Sequence, residues 1–182
     1  MKMIPYERLI LRSPLRPVDA LKRLEENIQP KQAYLWPRTG QKPYQGKIEG
    51  SNFNVRRIIS YRNSFLPMID GVIQPEMGGS SIAIRMHPHI AVTVFMGLWF
   101  AAFTLFFLYS LVGILFSPSN SAFQQPVWQE IDFLPLGMII FGYVLTLASF
   151  KFESNKSKNF FRELFQATEM NESGITDLFQ VQ

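Results

Sequence analysis

The residues able to do chemistry are few. His87-Pro88-His89 holds both histidines of the 182-residue chain. In an extended segment, positions two apart point the same way, so the two imidazoles can face one ion, and imidazole titrates near neutral pH. Two ligands do not close a tetrahedral site, and the chain has no third histidine and no cysteine. An interfacial histidine pair is therefore the expected role, with no metal and no cofactor. The lack of cysteine also excludes a disulfide scaffold, a thiol nucleophile and an iron–sulfur cluster. An enzyme acting on lipid would have only His87, His89 and Asp70 as acid or base groups. No Ser-His-Asp set, carboxylate dyad or phosphate loop stands at usable spacing, and Gly78-Gly79 reads as a turn, so a non-enzymatic protein is expected.

The remaining chemistry is cationic. Arg57 interrupts the alternating stripe Phe53, Val55, Ile59, Tyr61. A hairpin turning on Asn63-Ser64 would set Arg57 across from Asp70 and Ile59 across from Met68, a structural ion pair that pins strand register. Arg56, Arg62 and Arg85 belong to the other face and, with His87 beside Arg85, form a candidate site for an anionic headgroup or small ligand. Whether Arg85 and His87 share the face of Arg56 depends on a turn whose geometry the sequence leaves open.

Four short strands must position these groups: roughly Gly46 to Glu49, Asn52 to Tyr61, Phe65 to Gln74, and Ser80 to His87, an antiparallel meander with turns at Gly50-Ser51 and near Gly78-Gly79. Before it, residues 17–29 predict a helix with Pro17 in the first turn, a stripe of Val18, Leu21, Leu24 and Ile28, and Pro30 as its stop. Residues 30–45 read as an irregular connector. Residues 155–170 predict an amphipathic helix with Phe160, Phe161, Leu164, Phe165 and Thr168 on one side. Such a helix fits either the membrane interface or the uncovered sheet, and packing on the sheet is expected. The last dozen residues read as a tail, with Leu178-Phe179 a weak docking motif.

Charge is distributed unevenly. No charged residue occurs between Arg85 and Glu130, nor between Asp132 and Lys151. Within these gaps, residues 90–116 and 133–150 predict two transmembrane helices, about 40 Å and 27 Å long against a hydrocarbon core of about 30 Å. Of the 18 basic residues, 14 precede the first span, and the segment 117–132 carries none and two acids. The positive-inside rule puts both termini in the cytoplasm and the loop outside, at a plasma or inner membrane. The first residues, MKMIPYERLILRSPLRP, lack the apolar core of a signal peptide, so the first span is expected to direct insertion. The basic residues are dispersed and carry no nucleic-acid motif, so no nucleic-acid partner is expected.

The strand region resembles a group of uncharacterised small bacterial two-helix membrane proteins. The resemblance rests on Phe53, Val55 and Arg57, then Tyr61, Arg62, Asn63, Ser64, Phe65 and Pro67, then Ile69, Gly71 and Ile73. It implies a small β-domain interrupted by a transmembrane hairpin, and it brings no activity, substrate or catalytic residue. The expected protein is thus α+β, with a small four-stranded cytoplasmic sheet, flanking amphipathic helices and a transmembrane hairpin. Its expected parts are 1–45, the meander 46–88, the hairpin 89–151 and the C-terminal helix and tail 152–182. The expected roles are protein interaction or scaffolding of a membrane complex, with a protein partner or a second copy, or alternatively binding of anionic lipid at the inner leaflet.

Overall fold

The computed structural model describes residues 4–30, 42–61, 63–116 and 134–170. Arg62, most of the connector, the segment between the spans and the C-terminal tail lie outside the described residues. The chain divides into two compact units, 1–89 together with 149–182, and 90–148.

The first unit is built on a seven-stranded mixed sheet. In chain order its elements are β1 (Glu7–Ser13), α1 (Pro17–Asn27), β2 (Ile28–Pro30), β3 (Tyr44–Glu49), β4 (Asn52–Arg57), β5 (Met68–Glu76) and β6 (Gly79–His87). The long helices α2 (Ile90–Phe116) and α3 (Leu134–Phe165) follow, and β7 (Thr168–Glu169) closes the sheet. The strand order is β2-β3-β4-β5-β6-β1-β7, with β2 parallel to β3 and every other pairing antiparallel. The meander of four strands is present at β3 to β6, extended on both sides by strands that the sequence reading did not expect. β1 and β2 run parallel at opposite sides of the meander, so α1 is a crossover helix, and it packs over β5 and β6.

Period-two alternation explains how each strand contributes to the core. Leu9 and Leu11, Phe53 and Val55, Ile69 and Ile73, and Ile82, Ile84 and Met86 all bury toward the helices. On α1 the buried pair is Ala20 and Leu24, four residues apart, while Val18 is 73% exposed and does not belong to the packing stripe. The C-terminal part of α3 adds Phe150, Phe161 and Phe165, all fully buried. Each such side chain contributes about 1.5–3 kcal/mol of hydrophobic stabilisation. The expected packing of the last helix on the sheet is therefore what the structure shows, but as the end of one 32-residue helix, with Thr168 beyond it in β7. That end is closed by the bonds Ala167 N–H to Arg162 C=O and Gln166 N–H to Glu163 C=O, with Gln166 at φ 51°. Ser13 Oγ donates to the Phe165 carbonyl at 2.5 Å and Arg23 to the Leu164 carbonyl at 3.2 Å, so β1 and α1 both hold this terminus.

The register between β4 and β5 differs from the expected one by three residues. Asn54 lies opposite Asp70, Phe53 opposite Gly71 and Val55 opposite Ile69. The strands end at Arg57 and resume at Met68, so the connection is ten residues long rather than a tight turn on Asn63-Ser64. Phe53 fixes the pairing, because its ring occupies the space that a Cβ on Gly71 would need. An odd shift reverses the face of every residue on the displaced strand, which carries Asp70 to the side opposite Arg57.

The second unit contains α2 and the first turns of α3. Both helices are long and apolar enough to cross a membrane. Their large side chains point outward, among them Phe95 at 59% exposed and Leu98 and Leu105 at 67%. The Trp99 indole lies tilted against Phe103 with centroids 4.8 Å apart and rests against Gly142, where a Cβ would stand 3.1 Å from Nε1. Thr146 Oγ1 returns a hydrogen bond to the Gly142 carbonyl at 2.7 Å.

Candidate functional site

One end of the sheet collects nearly all of the unit's unusual polar groups. It is the end where β1 and β5 begin, where β4 and β6 finish, and where α3 reaches the sheet. The two faces at this end are chemically unlike.

On the helix-covered face, α3 presents a stripe of Phe150, Glu153, Ser154, Ser157, Phe161 and Phe165, all buried. The spacing of three or four residues puts them on one side of the helix, with a polar centre between aromatic ends. The Glu153 carboxylate is fully buried and accepts from Arg57 Nη1 at 2.8 Å and from the Tyr61 hydroxyl, with Lys156 Nζ at 3.8 Å. Burial, then the hydrogen bond to Glu153, raises the Tyr61 phenol above its ordinary pKa. Beside this group the Tyr44 hydroxyl donates to Ser157 Oγ at 3.1 Å, and burial raises the Tyr44 pKa. A second carboxylate, Glu7 of β1, is 6% exposed and pairs with Lys151 and Lys158 of α3. Burial pushes the Glu7 pKa up, but the two lysines outweigh it and hold the group below the ordinary glutamate value.

The expected pair of Arg57 with Asp70 is thus replaced. Arg57 does sit on the apolar face, but its counter-charge comes from α3, because the register sends Asp70 to the other side of the sheet.

On the opposite face, Asp70 accepts from Asn54 Nδ2 at 2.5 Å and lies 2.9 Å from His87 Nε2. His87 Nδ1 is 3.0 Å from the Pro88 carbonyl, so both ring nitrogens face acceptors. Arg85 is the ladder partner of both Asp70 and Arg8, and Met68 separates His87 from Arg56. The register therefore answers what the sequence left open: Arg56, Arg85 and His87 share one face, together with Arg8. Arg8 Nε donates to the Tyr6 hydroxyl at 2.9 Å, with its guanidinium 5.4 Å from the Tyr6 ring centroid. On the same face Arg12 pairs with Glu76, and Lys47, in the row of Asn54, Asp70, Arg85 and Arg8, pairs with Glu49. Among the described residues, no three His, Cys, Asp or Glu side chains converge as metal ligands would.

Reasoning from sequence missed Glu153, Glu7 and Lys151. Glu153 had a signal, since it stands three residues after Phe150 and four before Ser157. A helix read across the end of the apolar run would have placed it on the stripe.

No protein-family model, curated protein or solved structure matches this chain. The functional reading therefore rests on the site itself.

Proposed function

We propose that this chain is an integral membrane protein, with both termini and the sheet unit on the cytoplasmic side, and that the open sheet face binds anionic lipid headgroups of the inner leaflet. One observation carries the reading. Arg8, Arg56, Arg85 and His87 come from three strands to one end of the sheet face opposite the core, and β6 leads from there through Pro88 and His89 into the first apolar helix. Arg85 is five residues from Ile90, so covalent reach alone keeps its Cα within about 17 Å of that helix. Arg8, Arg85 and Asp70 lie in one row across β1, β6 and β5, so this end of the face brings cationic side chains together around a carboxylate. Basic side chains near an anionic leaflet contribute about 1 kcal/mol each, enough for local enrichment of acidic lipid.

Native mass spectrometry of the full chain released from nanodiscs of mixed phosphatidylcholine and phosphatidylserine tests this. Wild type should retain phosphatidylserine preferentially, less so as salt rises, and charge reversal at Arg56 and Arg85 should erase the preference. Equal retention by wild type and variant would sink the headgroup reading. Topology is tested by single cysteines at Ser119 and at Met77, a fully exposed residue. Met77→Cys should react from the cytoplasmic side and Ser119→Cys from the opposite side.

A second reading, a docking platform for a partner protein, draws on the mixed charge of the rest of this face, where Arg12–Glu76 and Lys47–Glu49 alternate in sign. A stable partner in a mild-detergent pull-down, lost on Lys47→Glu and kept on Arg56→Glu, would favour it.

A further inference from the structure

The other side of the same end carries a patch that the headgroup reading does not use. Phe152 is 59% exposed and Tyr61 46%, although both are large and one is wholly apolar. The Lys156 ammonium lies 3.9 Å from the Phe152 centroid and 5.7 Å from that of Tyr61. Tyr61 is outside any strand, yet its position is fixed, because its hydroxyl is bound to the buried Glu153 carboxylate that also holds Arg57. An aromatic pair with a cation between them, pinned from beneath by a buried acid, is not an ordinary water-facing surface.

The position along α3 explains the chemistry. The helix is continuous, and Phe152 stands 18 residues beyond Leu134, about 27 Å along the axis against a hydrocarbon core of about 30 Å. That is where an aromatic ring meets the headgroup boundary and a lysine reaches outward to phosphate. Before Lys151 the described part of α3 is free of charge; from there Lys151, Glu153, Lys156 and Lys158 arrive within about two turns around Phe152.

We infer that Tyr61, Phe152 and Lys156 form an interfacial anchor, with the rings seated among the headgroups and upper acyl chains and Lys156 directed to lipid phosphate. The anchor fixes the depth at which α3 leaves the bilayer and, through Glu153 and Arg57, ties that depth to the sheet. The inference rests on α3 spanning the membrane, and it does not require anionic lipid, since every phospholipid offers a phosphate.

The absence of cysteine makes single-cysteine labelling clean. Full-length Phe152→Cys, Tyr61→Cys and, as the reference, Met77→Cys carry an environment-sensitive fluorophore in nanodiscs of phosphatidylcholine alone, doped with lipid spin-labelled at the headgroup or deep in the acyl chain. Labels at 152 and 61 should emit to the blue of the label at 77 and be quenched several-fold more by the headgroup spin label. Quenching at 152 equal to that at 77 overturns the anchor, and so does stronger quenching at 152 by the deep label. If Tyr61→Cys fails to fold, Phe152→Cys leaves the Tyr61–Glu153–Arg57 contacts whole and decides alone. Phosphatidylserine preference without quenching at 152 overturns the anchor and spares the headgroup reading; quenching without preference does the reverse.

Discussion

Arg56 and Arg57 are neighbours in the chain and opposites in the fold. Arg57 lies on the covered face with a fully buried carboxylate as partner, whereas Arg56 lies on the open face across from Met68. The pleat alone separates them, yet one is held by α3 and the other is offered to whatever lies outside. Desolvation makes the difference. A charge taken out of water must be matched in place, and the covered face matches each one, Arg57 with Glu153 and Glu7 with Lys151 and Lys158. On the other face Arg8 and Arg85 stay exposed to water, in register with each other and with Asp70.

The largest effect should come from breaking the buried match. Glu153→Ala leaves Arg57 and the Tyr61 hydroxyl without their acceptor and should cost about 3–5 kcal/mol, the range for removing one member of a buried pair. Thermal unfolding of the full chain in detergent reads this as a large fall in Tm. Replacing both partners, Arg57→Met with Glu153→Leu, should recover much of the loss, and a double variant as unstable as the single one would refute the pairing. The exchange Arg57→Asp with Asp70→Arg should recover nothing, since these residues occupy opposite faces.

Glu7 gives the next effect, and it carries a pH signature. Its folded pKa lies below the unfolded value, so its contribution is fully present above the ordinary glutamate range and is lost as pH falls through the folded pKa. Glu7→Gln should cost about 2–3 kcal/mol at neutral pH and flatten the acid limb of stability against pH. An acid limb as steep as that of wild type would assign the transition to other carboxylates.

What could be read in the sequence follows from the range of the interactions. The apolar helices and the strands β3 to β6 are announced locally, by missing charge, by alternation such as Phe53 and Val55, and by glycines at the turns, Gly78 with φ 86° among them. The face of Arg57 was legible for the same reason. Its partner was not, because Glu153 is 96 residues away and reaches it only when α3 runs unbroken past the apolar segment. β1 had a local signal in the short apolar run Leu9, Ile10 and Leu11 between Arg8 and Arg12, but its place beside β6 is a long-range pairing that no local pattern states. The register failed on one physical point: the ten residues between β4 and β5 were read as a tight hairpin, and the complementarity of Phe53 with Gly71 outweighed that turn.

That complementarity gives a smaller prediction about how the two faces are assigned. Gly71→Val should displace the Phe53 ring and cost about 1–3 kcal/mol, the range for overpacking, and Phe53→Leu in the same chain should relieve part of it. Additive losses would mean that the ring and the glycine do not share one space.

The smallest effect on stability is the most telling for function. Arg56→Gln removes a charge that no buried group needs, so Tm should stay within the change produced by about 0.5 kcal/mol. If the open face serves the membrane, the same substitution should reduce phosphatidylserine retention and its salt dependence, because a headgroup contact contributes to binding rather than to folding. Arg57→Gln should do the opposite, lowering Tm and leaving retention per folded molecule unchanged. The two substitutions are chemically identical and one position apart, so any difference between them comes from the face each residue occupies. If both lower Tm and neither alters lipid retention, the open face is structural too, and the contrast between Arg56 and Arg57 is one of exposure alone.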